Sequence, residues 1–176
     1  MKTSYFLVAL LIHLSLVNFD ALSQNKKVMP VFSFLDLQGK EFTNKDLKNA
    51  QGMFIYFNPL CDVCRAEMKV IRNNFAYFQD KPIYMVSPEN LEDIKQFVKE
   101  FRLKKFPMIK VLYDKDDQFF KLFHTSGYPS IYIYNSQKQI TSTFVGETHF
   151  EELKTAFEGR DNLAQDNNNS TIKPGN

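Results

Sequence analysis

One stretch limits the chain more than any other: Phe54-Ile55-Tyr56-Phe57-Asn58-Pro59-Leu60-Cys61-Asp62-Val63-Cys64-Arg65-Ala66-Glu67-Met68. An apolar, aromatic run ends at a proline. Two cysteines follow with two residues between them, and the pattern then turns helical. This predicts a strand, a short turn and a helix, with the first thiol at the turn. Two intervening residues let both sulfurs meet at a helix N-terminus. There the first sulfur lies beside unpaired backbone N–H groups and the positive end of the helix dipole, both of which attract negative charge. A thiolate is the form that attacks a disulfide, so the spacing points to a redox site.

These are the only two cysteines in 176 residues. Neither has another partner within one chain, and a disulfide-stapled scaffold would need more of them. The hydrophobic fraction is 44%, with 18 Phe, which is ample for a core through the middle of the chain. The formal net charge of +2 makes no case for nucleic acid or for an acidic partner. The length suits one ordinary domain with tails.

Lys2 gives a basic start, Tyr5 to Val17 is mostly apolar, and Asn18 to Asp20 turns polar. Ala21-Leu22-Ser23 is small-x-small. The segment 1–23 therefore reads as a secretory signal peptide cleaved near Ser23. Its apolar run is short of the roughly 20 residues a spanning helix needs. The mature chain is expected to be periplasmic or secreted, where a Cys-x-x-Cys pair meets an oxidising compartment.

Gln24 to Met29 reads as a polar linker, and a globular domain is expected over 27–159. Val31 to Leu37 and Glu41 to Thr43 flank the turn Gln38-Gly39-Lys40 and predict a hairpin. Asn44 to Lys48 suits a brief helix. Met53 to Phe57 and Ile83 to Ser87 are apolar throughout, as strands covered on both faces are. The helix after Cys61 is expected to turn Val63, Ala66, Val70, Phe75 and Phe78 inward. A second helix after Pro88 carries Leu91, Ile94, Phe97, Val98 and Phe101 on one face. Met108 to Leu112 suits a short strand, and Phe119 to Phe123 one or two helical turns. Pro129 stands before the β-prone run Ser130 to Tyr134, with a partner strand over Gln139 to Val145. Phe150, Leu153 and Phe157 mark a last helix. From 160 to 176 the composition is that of a disordered tail. Strand, helix, strand, helix, hairpin and helix together imply an α/β fold with a mixed central sheet flanked by helices.

The Cys-x-x-Cys pair between strand and helix, with Pro129 opening a β-hairpin, resembles the thioredoxin superfamily. The likeness is to exported thioredoxin-like thiol–disulfide oxidoreductases of the redoxin and alkyl-hydroperoxide-reductase/thiol-specific-antioxidant group. It covers roughly Pro30 to Glu158. The stretch Phe34 to Lys40 is similar to the extra N-terminal β-hairpin that such members carry. The resemblance implies a thioredoxin-like fold, with Cys61 as the attacking thiol and Cys64 as the resolving thiol of a redox disulfide. It also implies that Pro129 is a cis-proline opposite the cysteines. Tyr128, Pro59 and Leu60 would be the substrate contacts, the backbone at Tyr128 pairing with the bound substrate. Glu67 falls where Cys-x-x-Cys-x-x-Glu members carry an acidic residue that tunes proton transfer. No cofactor is needed. The implied partners are protein thiol and disulfide substrates and a membrane-bound electron donor, with the protein itself a monomer.

The departures bear on redox poise. Leu60 replaces the usual tryptophan, Ile55 replaces a buried aspartate, and Asp62-Val63 replaces Gly-Pro between the cysteines. A carboxylate beside a developing thiolate opposes its charge, so Asp62 is expected to make the dithiol more reducing. Peroxiredoxins carry Pro-x-x-x-Thr/Ser-x-x-Cys; the corresponding positions here are Phe54 and Asn58, which disfavours a peroxidase. Two further uses of the cysteines stay open from the residues alone. One is a structural disulfide in a non-enzymatic binding module. The other is half of a zinc site, for which only His124 and His149 remain as histidine ligands.

Overall fold

The structure, a computed structural model, describes residues 27–159. The expected signal peptide over 1–23 and tail over 160–176 lie outside them. In chain order the elements are β1 (Lys27–Val28), β2 (Ser33–Asp36), β3 (Glu41–Thr43), β4 (Gly52–Tyr56), α1 (Asp62–Asn73), α2 (Phe75–Phe78), β5 (Ile83–Ser87), α3 (Leu91–Glu100), β6 (Ile109–Tyr113), α4 (Gln118–Phe123), β7 (Ser130–Tyr134), β8 (Gln139–Val145) and α5 (Phe150–Glu158). Asn44–Asp46 and Leu103–Lys105 are single 3-10 turns.

The eight strands form one sheet in the order β1-β8-β7-β4-β5-β6-β2-β3. β4, β5 and β6 run parallel; β7 joins β4 antiparallel, and β8 closes the hairpin on β7. Every residue of β4, β5 and β7 is buried, which explains their unbroken apolar runs. β8 is only half covered and alternates accordingly. β2 and β3 form the expected N-terminal hairpin, docked on β6 through Leu35 and Asp36. Gly39, at φ +83, makes its turn possible, and the Asp36 carboxylate accepts the Gln38 and Lys40 N–H groups.

Side chains alternate across β4, so the sheet has two unlike cores. Met53 and Ile55 face the helical side, where Met68 and Ile71 of α1, Ile94 and Phe97 of α3, and Leu153 and Phe157 of α5 pack on them. Phe54 and Tyr56 face the other side, against Phe34, Phe42, Phe119, Phe123 and Tyr132. This second core is mainly aromatic, built on six phenylalanines and four tyrosines with a few aliphatic side chains between them.

Three expectations need correction. Lys27 and Val28 are not part of a linker: they pair with Ile140 and Gln139 as an edge strand, and Met29 beyond them is buried. The inward stripe of α1 is Cys64, Glu67, Met68 and Ile71, at i, i+3, i+4 and i+7. It is one position round from the expected stripe, and Val63 is 39% exposed. A glutamate on the buried face disguises it. The helix also stops at Asn74 (φ −109, ψ 26), so Phe75 and Phe78 sit on a separate short helix rather than on the same stripe.

Candidate active site

Cys61 is the N-cap of α1. Its backbone is extended (φ −76, ψ 122), its carbonyl accepts the Arg65 N–H at 3.0 Å, and its Sγ accepts the Cys64 N–H at 3.4 Å. The first sulfur therefore occupies the cap position that an oxygen usually fills, at the electropositive end of a twelve-residue helix. Both cysteines are free thiols, Cys61 partly exposed and Cys64 buried. Burial pushes the Cys64 thiol up to about 12, and the nearby Cys61 sulfur adds to this while the Asn58 N–H opposes it. The pair is thus asymmetric: an accessible sulfur in front and a protonated one behind.

The turn carrying Cys61 is built by Asn58. Its Oδ1 accepts the Leu60 N–H at 2.8 Å, its carbonyl accepts the Cys61 N–H at 3.2 Å, and its Nδ2 donates to Glu89 Oε1 at 2.5 Å. Pro59 is buried, and its carbonyl accepts from Arg65 at 3.3 Å; Arg65 is ion-paired with Glu100. Leu60 beside it is 70% exposed, an apolar side chain presented to solvent next to the thiol. The sequence marks Asn58 only as the position of a peroxiredoxin hydroxyl, not as the builder of this turn, and it does not mark Glu89. The Asn-Pro dipeptide is a turn signal that could have found the first, but nothing local marks the second.

Glu67 lies one turn beyond Cys64 and is 2% exposed. Its Oε2 accepts the Thr148 N–H at 3.1 Å, and its Oε1 has no partner among the described residues. Burial pushes this carboxyl up to about 7; the Thr148 N–H opposes the rise, and Glu147 and Glu152 add to it.

The antiparallel register sets Tyr56 opposite Ser130, so the turn after β4 faces the residues just before β7. There the Tyr128–Pro129 bond is cis. The Pro129 carbonyl accepts the Gly146 N–H at 2.8 Å, and the buried Ser130 hydroxyl donates to the Gly127 carbonyl at 2.7 Å. Tyr128 is half-buried and packs against both cores. Cys61, Cys64, Tyr128 and Pro129 are thus brought to one end of the sheet. Glu67 lies beneath Cys64, and Leu60 stands at the rim. Among the described residues no group of three or more His, Cys, Asp or Glu side chains is placed to hold a metal.

The model of the AhpC/TSA family matches residues 26–143, more than half of the chain. The chain belongs to the AhpC/TSA family. Within AhpC/TSA proteins it is similar to the thiol-disulfide oxidoreductase ResA of Bacillus cereus, at 27% identity over 132 residues that make up 73% of each chain. Its fold is similar to the solution structure of a candidate thioredoxin from Neisseria meningitidis. That match has a TM-score of 0.61 and 27% identity, and covers 82% of this chain and 99% of the other. It is also similar to a secreted disulfide oxidoreductase of Mycobacterium tuberculosis. There the TM-score is 0.61 at 16% identity, covering 72% and 94% of the two chains. This AhpC/TSA member is therefore a thioredoxin-fold redoxin and a thiol–disulfide oxidoreductase.

Proposed function

We propose that the protein reduces disulfides in exported polypeptides by dithiol exchange at Cys61 and Cys64. One observation carries this reading: Cys61 is the partly exposed cap of α1, with the buried Cys64 thiol directly behind it. The Cys61 thiolate attacks one sulfur of a substrate disulfide and expels the other as a thiolate. Cys64, deprotonated, attacks the Cys61 sulfur of the mixed disulfide. The reduced substrate leaves, and a Cys61–Cys64 disulfide remains. Two electrons pass from the pair to the substrate, so turnover requires an electron donor, proposed to be membrane-bound. The Cys64 thiol must lose its proton to resolve the intermediate. Glu67, a buried carboxyl that titrates near neutrality, is the group proposed to take part in that transfer.

Tyr128 and Leu60 are the proposed substrate contacts, with Pro59 shaping the turn beneath Leu60 and Pro129 holding the loop opposite the cysteines. Export rests on the basic and apolar character of 1–23, with cleavage near Ser23. It gains support from the related Mycobacterium tuberculosis protein, which is secreted. No helix among the described residues is long and apolar enough to cross a membrane. The domain over 27–159 is proposed to act as a monomer.

The test is a trap. Incubated with a disulfide-bonded protein substrate, Cys64→Ser should accumulate a covalent adduct that dithiothreitol releases. Cys61→Ser should form none. An equal yield of adduct from both variants, or none from either, would refute the assignment of the two thiols.

A further inference from the structure

Tyr128 is held from two directions. Its hydroxyl donates to the Tyr56 hydroxyl at 3.2 Å, and the Tyr56 hydroxyl donates to Asp117 Oδ1 at 2.6 Å. The direction of the chain is forced, because a carboxylate accepts only. Tyr56 is 2% exposed, and burial holds its phenol protonated far above the usual range. The rings form a column in which Tyr56, Phe119 and Phe123 are parallel and Tyr128 is tilted by 30° against Tyr56. Tyr128 lies on Tyr56 at 4.7 Å, Tyr56 stacks on Phe119 at 4.9 Å and 5°, and Phe119 stacks on Phe123 at 3.9 Å and 4°.

The base of this column is itself pinned. Asp114, fully buried, accepts the Gln118 and Phe119 N–H groups at 2.9 and 2.7 Å. This fixes the start of α4, on which Phe119 stands, and places Asp117 at the surface in a left-handed conformation, at φ 48. At the other end, the backbone N–H and C=O of Tyr128 make no hydrogen bond to another described residue. The residue before Pro129 thus offers an unpaired backbone edge beside the thiols, while its side chain is anchored from behind.

We propose that Asp117, acting through Tyr56, is a positioning residue that orients Tyr128 so that its free backbone edge pairs with the polypeptide flanking a substrate disulfide. It thereby makes the enzyme favour polypeptide disulfides over small ones. The inference rests on the exchange reaction proposed above. A polypeptide needs a fixed edge to pair with, since a mobile edge must be ordered at each binding event. A small disulfide has no backbone to pair and needs only the Cys61 sulfur.

The experiment compares a disulfide-cyclised peptide with bis(2-hydroxyethyl) disulfide, using the full chain and its Tyr56→Phe, Asp117→Ala and Asp117→Asn variants. Tyr56→Phe keeps the ring column and removes the relay; Asp117→Ala removes its terminus; Asp117→Asn keeps an acceptor. Expected for the first two is a rise of about tenfold in KM for the peptide, the scale of one hydrogen bond to a charged acceptor. Their kcat on the peptide, their kcat/KM on the small disulfide and their reduction potential should be unchanged. Asp117→Asn should recover most of the loss. The proposal is overturned if peptide KM does not move in Tyr56→Phe, if both substrates lose equally, or if Asn behaves as Ala. A parent enzyme that reduces neither substrate would instead overturn the exchange reaction itself.

Discussion

Glu67 gives the chain an unusual dependence on pH. The carboxyl is buried on the inward face of α1 with one oxygen bonded to the Thr148 N–H and the other unpartnered among the described residues. Burial raises it from 4.5 to about 7 in the folded state. Between those values the native protein holds a proton that the unfolded chain has released. Stability therefore falls as pH rises through this window and is fully reduced above about 7. Each pH interval of one is worth about 1.4 kcal/mol, so the whole window is worth about 3 kcal/mol. Against a total stability of roughly 5–15 kcal/mol for a domain, that is a large share.

Glu67→Gln removes the titration and keeps an oxygen for the Thr148 N–H. Urea unfolding with both thiols kept reduced, at about pH 4 and about pH 8, supplies the test. At the lower pH the two proteins should differ only by a constant. At the higher pH the parent should have lost about 3 kcal/mol relative to the variant. Cys64 does not disturb the comparison, since its thiol titrates near 12. Carboxylates that do not interact with Glu67 are common to both proteins and cancel, and burial, the largest cause of its shift, outweighs the contributions of Glu147 and Glu152. A difference that is independent of pH would mean that Glu67 is not a desolvated carboxyl and that its placement beneath Cys64 is wrong.

Gly52→Ala should destabilise by about 1–3 kcal/mol in thermal or urea unfolding. A Cβ there would lie 2.5 Å from both the Pro82 carbonyl oxygen and the Tyr134 hydroxyl, so an unchanged midpoint would refute that close approach. Asp114→Asn should cost about 1–3 kcal/mol, because one of two oxygens that accept buried N–H groups becomes a donor; a neutral effect would refute the cap on α4. The reduction potential of the cysteine pair should fall near or below about −270 mV, measured against dithiothreitol buffers, because Asp62 adjoins Cys61 and Cys64 is buried. A value near about −120 mV would mark an oxidant that installs disulfides and would reverse the proposed direction.

Much of this fold is legible because local pattern and global position agree. β4, β5 and β7 are buried on both faces and read as continuous apolar runs; α3 is amphipathic and shows its Ile94, Phe97 and Val98 face plainly. What escapes is whatever tertiary contact decides. β1 is two residues long and both are exposed, so only backbone pairing to β8 defines it. The inward stripe of α1 includes Glu67 because a backbone N–H 81 residues away receives it. The tyrosine relay joins Tyr56 to Asp117 across 61 residues, and periodicity carries no trace of it. The two thiols are local and stand out at once; the groups that surround them are not.

The departures from the thioredoxin pattern also make sense together. Ile55, at the position of the thioredoxin aspartate, packs in the apolar core with Met53 and Phe57. A buried carboxyl is nonetheless present, contributed by α1 as Glu67 and steadied from the segment before α5. This carboxyl stands on the helix that carries the cysteines, so its environment depends on how α1 and the Thr148 segment pack. Asn58 stands where a peroxiredoxin has a hydroxyl. Its carboxamide oxygen is used by Leu60 and its nitrogen by Glu89. Both ends are thus engaged around the turn that carries Cys61. Leu60, in place of tryptophan, is free of such duties and exposed. Around one pair of thiols the interior positions thus handle charge and turn geometry. The rim keeps an apolar side chain and a Tyr128 backbone edge with no hydrogen bond to another described residue, the two features on which the proposed exchange with polypeptide disulfides rests.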